Sequence, residues 1–271
     1  MTWWEAALLG LVQGLTEFLP VSSSGHLVLG QYVLGLDTSG GGDVTFEVFV
    51  HFGTVLSIIT VYWRRIFDII AETLRAAVHP AEFGARYQDS EGLRFGLFIL
   101  VTLVPTGIVY VLFKDPLEAA FGNPRLVCAM LLVTGLLLLL TRLRKNPDGR
   151  LSMLKAFVIG IAQAAAMIPG ISRSGATICT ALYQNVTPEK AANFSFLMLL
   201  PVVLGATLLK SLEMLEAGMT VGWLPLAAGT LVAYASGILA IKLVLDFVRR
   251  GHLQYFAYYC FAIGTIGLIF I

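Results

Sequence analysis

A polar motif that interrupts two apolar stretches at a fixed spacing is the feature that most constrains this chain. Residues 10–26 read GLVQGLTEFLPVSSSGH, and residues 160–176 read GIAQAAAMIPGISRSGA. Five positions are identical at an offset of 150, namely Gly10/Gly160, Gln13/Gln163, Ser22/Ser172, Ser24/Ser174 and Gly25/Gly175. This internal repeat predicts a single domain made of two related halves, 1–141 and 150–271.

The two copies of the motif differ at the positions where chemistry would differ. The first copy has Glu17 and His26, whereas the second has methionine and alanine at the matching positions. In the second copy, Arg173 stands where the first has Ser23. We therefore expect the two copies to meet and to share one site, to which each contributes different groups.

The low charge of the chain places it in a membrane. Of its 271 residues, 57% are hydrophobic and 13% are charged, whereas soluble domains carry about 25% charged residues. The formal net charge of +1 predicts no nucleic-acid partner.

The sequence also indicates the state of the cysteines and of the N-terminus. Cys128, Cys179 and Cys260 lie in apolar stretches without metal-ligand spacing and are expected to be buried thiols. Glu5 stands where a signal peptide would carry positive charge, so we expect none.

Eight apolar stretches outline an all-α polytopic membrane protein. Six of them approach the ~20 residues that a membrane helix needs, and these are 44–63, 95–113, 126–141, 191–209, 223–245 and 253–271. Two others, 3–36 and 155–184, are interrupted by proline, glycine and serine. Each of these two is predicted to form two half-helices around a loop, a re-entrant hairpin whose irregular backbone must be buried or face a water-filled cavity.

The arginine and lysine residues predict the topology. They cluster in the loops after the first, third and fifth spans, at positions 64–94, 142–155 and 249–250. Positive charge favours the cytoplasm, so these three loops should all be cytoplasmic. They lie on one side only if both hairpins return to the side from which they enter. The charges therefore predict six transmembrane helices plus two re-entrant hairpins, with both termini outside. The two halves are then inverted relative to each other, as in inverted-repeat membrane proteins.

The first hairpin carries an unusual set of polar side chains. Gln13 and Glu17 are four residues apart and share one helix face, and Pro20 ends that helix. An ionisable residue in a membrane segment is a functional-site hypothesis by default. Alternatively, Glu17 only stabilises the second hairpin and Ser22–Ser24 only cap a helix. We expect His26 to be functional because of the serines and glycine beside it.

The second hairpin is typical of an anion site. Arg173 is placed at a half-helix N-terminus, where free N–H groups and the helix dipole favour negative charge. Ser172, Ser174 and Thr177 surround it, and the arginine fork suits phosphate oxygens. The alternative is a structural ion pair between Arg173 and Glu17. His51 and Glu47 could line the same cavity or simply form an internal hydrogen bond.

Residues 13–26 and the PGISRSGAT sequence at 169–177 closely resemble the two signature motifs of the bacterial undecaprenyl-diphosphate phosphatases, the BacA/UppP family. The resemblance covers essentially the whole chain. It implies an inner-membrane enzyme that hydrolyses undecaprenyl diphosphate to undecaprenyl phosphate and inorganic phosphate. That activity recycles the lipid carrier for peptidoglycan and confers bacitracin resistance. The resemblance also implies a divalent cation, Mg²⁺ or Ca²⁺, a polyprenyl diphosphate substrate and an active site that opens to the outer, periplasmic face; a homodimer is compatible with it.

Carried over position by position, the resemblance implies roles for residues in both motifs. The expected catalytic residues are Glu17, Ser23, His26 and Arg173, and the expected phosphate-binding residues are Ser22, Ser172, Arg173, Ser174 and Thr177. Many relatives have glutamate at the position of Gln13. Because an amide binds hard cations more weakly than a carboxylate, Glu17 is the main expected metal ligand and Gln13 a weaker one.

Several mechanisms and functions stay open from the sequence. Ser23 attacking with His26 as base is the preferred arrangement, while a direct attack by His26 or by water activated by His26 are alternatives. A lipid flippase or transporter would use the same broken-helix architecture. Membrane phosphatases of the phosphatidic acid phosphatase type 2 superfamily match poorly, because Cys179 and Tyr183 replace the histidine and aspartate of their motif.

Overall fold

The computed structural model describes residues 1–33, 44–143, 149–217 and 222–271, and within these ranges the regular structure is helical. The helices are α1 (Trp3–Phe18), α2 (Ser23–Val33), α3 (Val44–Val78), α4 (Phe83–Asp89), α5 (Glu91–Phe121), α6 (Pro124–Leu140), α7 (Met153–Ala165), α8 (Arg173–Tyr183), α9 (Pro188–Ala217), α10 (Trp223–Arg249) and α11 (Gln254–Phe270). Short 3₁₀ turns cover Pro80–Glu82 and Thr141–Leu143.

Long apolar helices confirm the prediction of an all-helical, multi-pass membrane protein. In the described part of the chain, α3, α5, α6, α9 and α10 are long and apolar enough to cross a membrane. The sixth predicted stretch forms α11, whose 17 residues fall just short of that length. All three cysteines are free and buried, as expected.

Two of the long helices continue beyond the predicted spans. The spans were expected to end at residues 63 and 113, and the helices bend at Tyr62 and Phe113 but then extend to Val78 and Phe121. Charged residues follow each bend, namely Arg64 and Arg65 after Tyr62, and Lys114 and Asp115 after Phe113. Hydrophobicity therefore marked where each apolar helix changes direction, and not where its hydrogen bonding stops.

The two interrupted stretches each form a pair of half-helices around a non-helical break. The first break separates α1 from α2 at Pro20, and the second separates α7 from α8 at 166–172. Both breaks need an unusual backbone conformation, with φ of +71° at Ser22 and +93° at Gly170. Residues 34–36 of the first predicted hairpin lie outside the described ranges.

Small residues set how the two pairs of half-helices pack against the long helices. Gly10 of α1 lies against α10, where an added Cβ would come within 2.3 Å of the Gly229 carbonyl oxygen. The matching Gly160 of α7 lies against α5, where an added Cβ would come within 2.7 Å of the Thr102 Cα. Both half-helices therefore contact a long helix almost backbone to backbone.

Candidate active site

The break between α1 and α2 is closed by hydrogen bonds of its own serines. The Ser22 hydroxyl accepts from the Gly25 N–H at 3.3 Å and lies 3.4 Å from the Ser24 hydroxyl. The Ser22 carbonyl accepts a hydrogen bond from the His26 N–H at 3.1 Å, and this bond forms the first turn of α2. Ser22 is 3% exposed. Because its hydroxyl accepts from the Gly25 N–H, the side chain acts as a helix cap.

The break between α7 and α8 repeats this arrangement. Ser172 caps α8 by accepting from the Gly175 N–H at 3.0 Å, and its hydroxyl lies 3.2 Å from that of Ser174. Thr134 of α6 holds the break from outside, because its hydroxyl donates to the Gly170 carbonyl and accepts from the Ser172 N–H, both at 2.9 Å. These bonds satisfy backbone groups that would be costly to bury unpaired.

The two breaks touch each other, as the repeat predicted. The Ser174 hydroxyl donates to the Leu19 carbonyl at 3.1 Å, which joins the second break to the first. An added Cβ at Gly175 would lie 3.4 Å from the Pro20 Cβ. The two motifs, 150 positions apart in sequence, therefore lie side by side in the fold.

Glu17 is the centre of the polar network between the breaks. Its Oε1 accepts from Arg173 Nη2 at 2.6 Å, which confirms the ion pair that the sequence suggested. Its Oε2 accepts from the Ser23 hydroxyl at 2.7 Å and from Gln13 Nε2 at 2.9 Å. His51 Nε2 lies 4.0 Å from the same oxygen. The Glu17 side chain is 7% exposed, so a charged partner is needed to offset its burial.

Arg173 is fixed from a second side by α9. Its Nη1 donates to the Ser195 carbonyl at 3.2 Å, and its side chain is 15% exposed. Thr177, one turn further along α8, places its hydroxyl 2.6 Å from the Ser195 hydroxyl and donates to the Arg173 carbonyl. Thr177 therefore joins α8 to α9 beneath the guanidinium.

His26 does not contact Ser23 by a hydrogen bond, contrary to the preferred arrangement. Its Nδ1 lies 2.8 Å from the Ser22 carbonyl and its Nε2 lies 2.8 Å from the Tyr259 hydroxyl. The ring is oriented toward the Ser22 carbonyl, four residues back along the chain. The Ser23 hydroxyl donates to Glu17 instead. In this geometry the proton acceptor of Ser23 is Glu17.

The predicted catalytic and phosphate-binding residues other than Glu17 fall into two groups according to their burial. The buried group consists of side chains at most 3% exposed, all engaged in hydrogen bonds within the breaks, namely Ser22, Ser172, Ser174 and Thr177. The half-buried group consists of Ser23, His26 and Arg173. A phosphate group would reach the second group first. In the first group, Ser22 has the capping role that the sequence left as an alternative, and Ser172 caps α8 in the same way.

Sequence reasoning did not identify Thr134 or Tyr259. A weak signal existed for Thr134, because it is the single hydroxyl residue in the run LVCAMLLVTGLLLLL at 126–140. Tyr259 is one of three tyrosines within five residues, and nothing in the sequence distinguishes it from Tyr255 or Tyr258. His51 was expected either to line the site or to bond internally, and it does both, since its Nδ1 lies 2.8 Å from the Glu47 carbonyl.

The donor set around Glu17 does not fit a divalent cation held by the protein alone. Within the described ranges, no three histidine, cysteine, aspartate or glutamate side chains cluster closely enough to hold a metal ion. Both Glu17 oxygens are already occupied, one of them by the guanidinium of Arg173. Gln13 donates its N–H to Glu17, and its Oε1 is buried without a hydrogen bond. This amide oxygen is therefore the one expected ligand atom that is not already engaged, and a single amide oxygen binds a hard cation weakly.

Comparisons with known proteins agree with one another over nearly the whole chain. Residues 6–266 match the family described as "Bacitracin resistance protein BacA". The chain is 66% identical over 268 residues to an undecaprenyl-diphosphatase of Salinibacter ruber, covering 99% of both proteins. It is 39% identical to an undecaprenyl-diphosphatase of Bacteroides fragilis, covering 99% of this chain and 98% of the relative. One from Halothermothrix orenii is 40% identical, covering 98% and 96%.

Proposed function

The chain belongs to the BacA family, and on that premise we propose that it hydrolyses undecaprenyl diphosphate to undecaprenyl phosphate and inorganic phosphate. The relatives at 66% and 39% identity are named for this reaction. The single observation that carries the proposal is the Glu17–Arg173 contact at 2.6 Å, which brings a phosphate-binding group of one motif onto the carboxylate of the other. Recycling of the lipid carrier then supports cell-wall synthesis and resistance to bacitracin.

Arg173 supplies the binding energy for the diphosphate. It opens α8, where the positive end of the helix dipole also attracts an anion. Its planar fork can bond two phosphate oxygens at once. Glu17 provides the negative charge that keeps the buried guanidinium paired. The diphosphate brings more charge than one carboxylate and competes with Glu17 for the guanidinium.

Ser23 is the attacking group in the proposed reaction. Its Oγ forms a bond to the terminal phosphorus while the anhydride P–O bond breaks, and that electron pair leaves with undecaprenyl phosphate. The Ser23 proton passes to Glu17, which already accepts it in a 2.7 Å hydrogen bond. Water then attacks the phosphorus of the phosphoserine while His26 Nε2 takes a proton from the water. The P–Oγ bond breaks, Glu17 returns its proton to the Ser23 oxygen, and inorganic phosphate departs with the proton held by His26. Direct attack by His26 is the competing route.

A divalent cation, implied by the family resemblance, enters this proposal as part of the substrate complex. Because Glu17 is already paired with Arg173 and Ser23, the protein alone would offer a cation few open ligands, and a cation that enters with the substrate would neutralise charge on the diphosphate. Calorimetric titration of Mg²⁺ or Ca²⁺ into the purified protein should give no saturable binding until the diphosphate lipid is added. Saturable binding to the protein alone, lost in Glu17→Gln, would contradict this.

The proposed layout has six transmembrane helices and two re-entrant hairpins in inverted halves, with both termini and the active site facing outward. The packing supports it, since the matching Gly10 and Gly160 contact α10 and α5, which hold equivalent places in the two halves. The alternation of arginine-rich loops supports the orientation.

Phosphate release from undecaprenyl diphosphate by the purified protein in detergent tests the proposed activity. Arg173→Ala and His26→Ala should each abolish release. Arg249→Ala serves as the control, because Arg249 pairs with Glu189 at 2.7 Å on an exposed surface. A flippase would instead move the lipid across proteoliposomes without releasing phosphate, and that result would overturn the proposal.

A further inference from the structure

The two nitrogens of His26 have partners of different kinds. Nδ1 lies 2.8 Å from the Ser22 carbonyl, which can only accept a hydrogen bond, so Nδ1 carries a proton. Nε2 lies 2.8 Å from the Tyr259 hydroxyl, which can donate. No carboxylate is within ion-pair distance of the ring in the described part of the chain. A half-buried ring without a carboxylate favours the neutral form, with the lone pair on Nε2 accepting from Tyr259.

Tyr259 is held in place by close helix packing. It lies on α11, and α11 packs against α6 through Gly264 and Gly267. An added Cβ at these positions would come within 2.8 Å of the Cys128 carbonyl oxygen and 2.3 Å of the Cys128 Sγ, respectively. The position of the Tyr259 hydroxyl is therefore set by two rigid helices and not by a loop.

The histidine ring is held between two fixed points from different halves of the chain. The Ser22 carbonyl belongs to the first break, where the backbone has φ of +71°. Tyr259 belongs to the second half, and its ring is within 10° of parallel to the His26 ring, with centroids 5.5 Å apart. Because both nitrogens are engaged, the ring can neither flip nor rotate freely.

We infer that Tyr259 is a positioning residue for His26. The Ser22 carbonyl keeps the ring proton on Nδ1, and the Tyr259 hydroxyl holds the ring in place by donating to Nε2. The hydroxyl yields Nε2 when the diphosphate or the attacking water arrives. The inference rests on the proposed phosphatase function for its kinetic consequence. The contact itself stands on the geometry alone.

Tyr259→Phe removes the hydroxyl and keeps the ring. Tyr258→Phe is the matched control, since Tyr258 is the adjacent residue and its hydroxyl accepts from Arg142 at 3.4 Å. We expect Tyr259→Phe to lower kcat about tenfold with KM changed less than twofold. The probe of the ring is diethyl pyrocarbonate, and its reaction at His26 is measured by mass spectrometry. His26 should react at least threefold faster in Tyr259→Phe, with the exposed His79 as internal reference.

Each outcome decides the inference. An unchanged kcat in Tyr259→Phe, or equal changes in Tyr258→Phe or at His79, would overturn it. If the wild type releases no phosphate, the proposed function fails, while the labelling at His26 still tests the contact. If Tyr259→Phe does not fold, ¹⁵N NMR of the wild type decides instead. A proton on His26 Nδ1 with a bare Nε2 is expected, and a proton on Nε2 would overturn the inference.

Discussion

Glu17 joins the two motifs because it accepts hydrogen bonds from both of them. Ser23 and Gln13 donate from its own half of the chain and Arg173 donates from the other. A buried ion pair is not by itself a gain in stability, because desolvation offsets much of the attraction. A pair retained at such a position is therefore better explained by binding and chemistry than by folding.

Trapping the reaction with lipid labelled at the terminal phosphate tests the role of Ser23. We expect a label on the protein that is stable to acid and labile to base, as for phosphoserine. Ser23→Ala should abolish it, whereas Ser24→Ala should retain it, because the Ser24 hydroxyl contacts only Ser22 among the described hydrogen bonds. An acid-labile label on His26 would show that the histidine attacks.

The sequence predicted those site residues that belong to the repeated motif. The Glu17–Arg173 contact followed from two opposite charges placed at helix breaks in a chain with few charges. Thr134 and Tyr259 could not be predicted from the sequence. Thr134 is an isolated hydroxyl residue on an apolar helix, and Tyr259 is one of three neighbouring tyrosines that the sequence does not distinguish. Whether such a residue faces the site depends on how its helix is rotated and packed, which no local pattern records.

Glycine residues allow the half-helices α1 and α7 to pack closely against the long helices. Gly10 and Gly160 remove the side chain at the points of closest approach to α10 and α5, as is typical of helix packing in membranes. That close approach brings both breaks to the same place. The repeat in the sequence indicated that these glycines matter, but the helices they would contact were not evident from it.

Gly10→Ala and Gly160→Ala should each destabilise the protein by about 1–3 kcal/mol, because an added methyl group would overlap the neighbouring backbone. Gly107→Ala, on α5, is the matched control, since an added Cβ there meets nothing within 4 Å. It should be neutral or slightly stabilising, because alanine favours helix more than glycine does. Thermal unfolding in detergent measures all three. Equal effects in the three variants would contradict the packing argument.

At the scale of the whole molecule, two pairs of half-helices, α1 with α2 and α7 with α8, pack among long apolar helices. Hydrophobic runs and proline breaks predicted the order of the helices, because each element is apolar along its own length. They did not predict the bends at Tyr62 and Phe113 or the continuation of α3 to Val78. Helical hydrogen bonding continues past each bend into sequence that contains charged residues, so composition alone marks the wrong end of the helix.

The proposed orientation makes a direct prediction for the loops. In a chain whose three buried cysteines are replaced by alanine, a cysteine at Asp115 should react with a membrane-impermeant thiol reagent in intact spheroplasts. A cysteine at Gln88 should react only after lysis. Both positions are exposed, so access to the reagent depends on the side of the membrane. The reverse pattern would place the arginine-rich loops and the active site on the opposite faces.

The central claim is that the two motifs form a single site, and a double-mutant cycle on phosphate release tests it most directly. Glu17→Gln and Arg173→Lys are conservative enough to leave measurable kcat/KM. Because the two side chains are in contact, the loss in the double variant should be at least tenfold smaller than the product of the two single losses. Losses that multiply would mean that Glu17 and Arg173 act independently, and the shared site would be wrong.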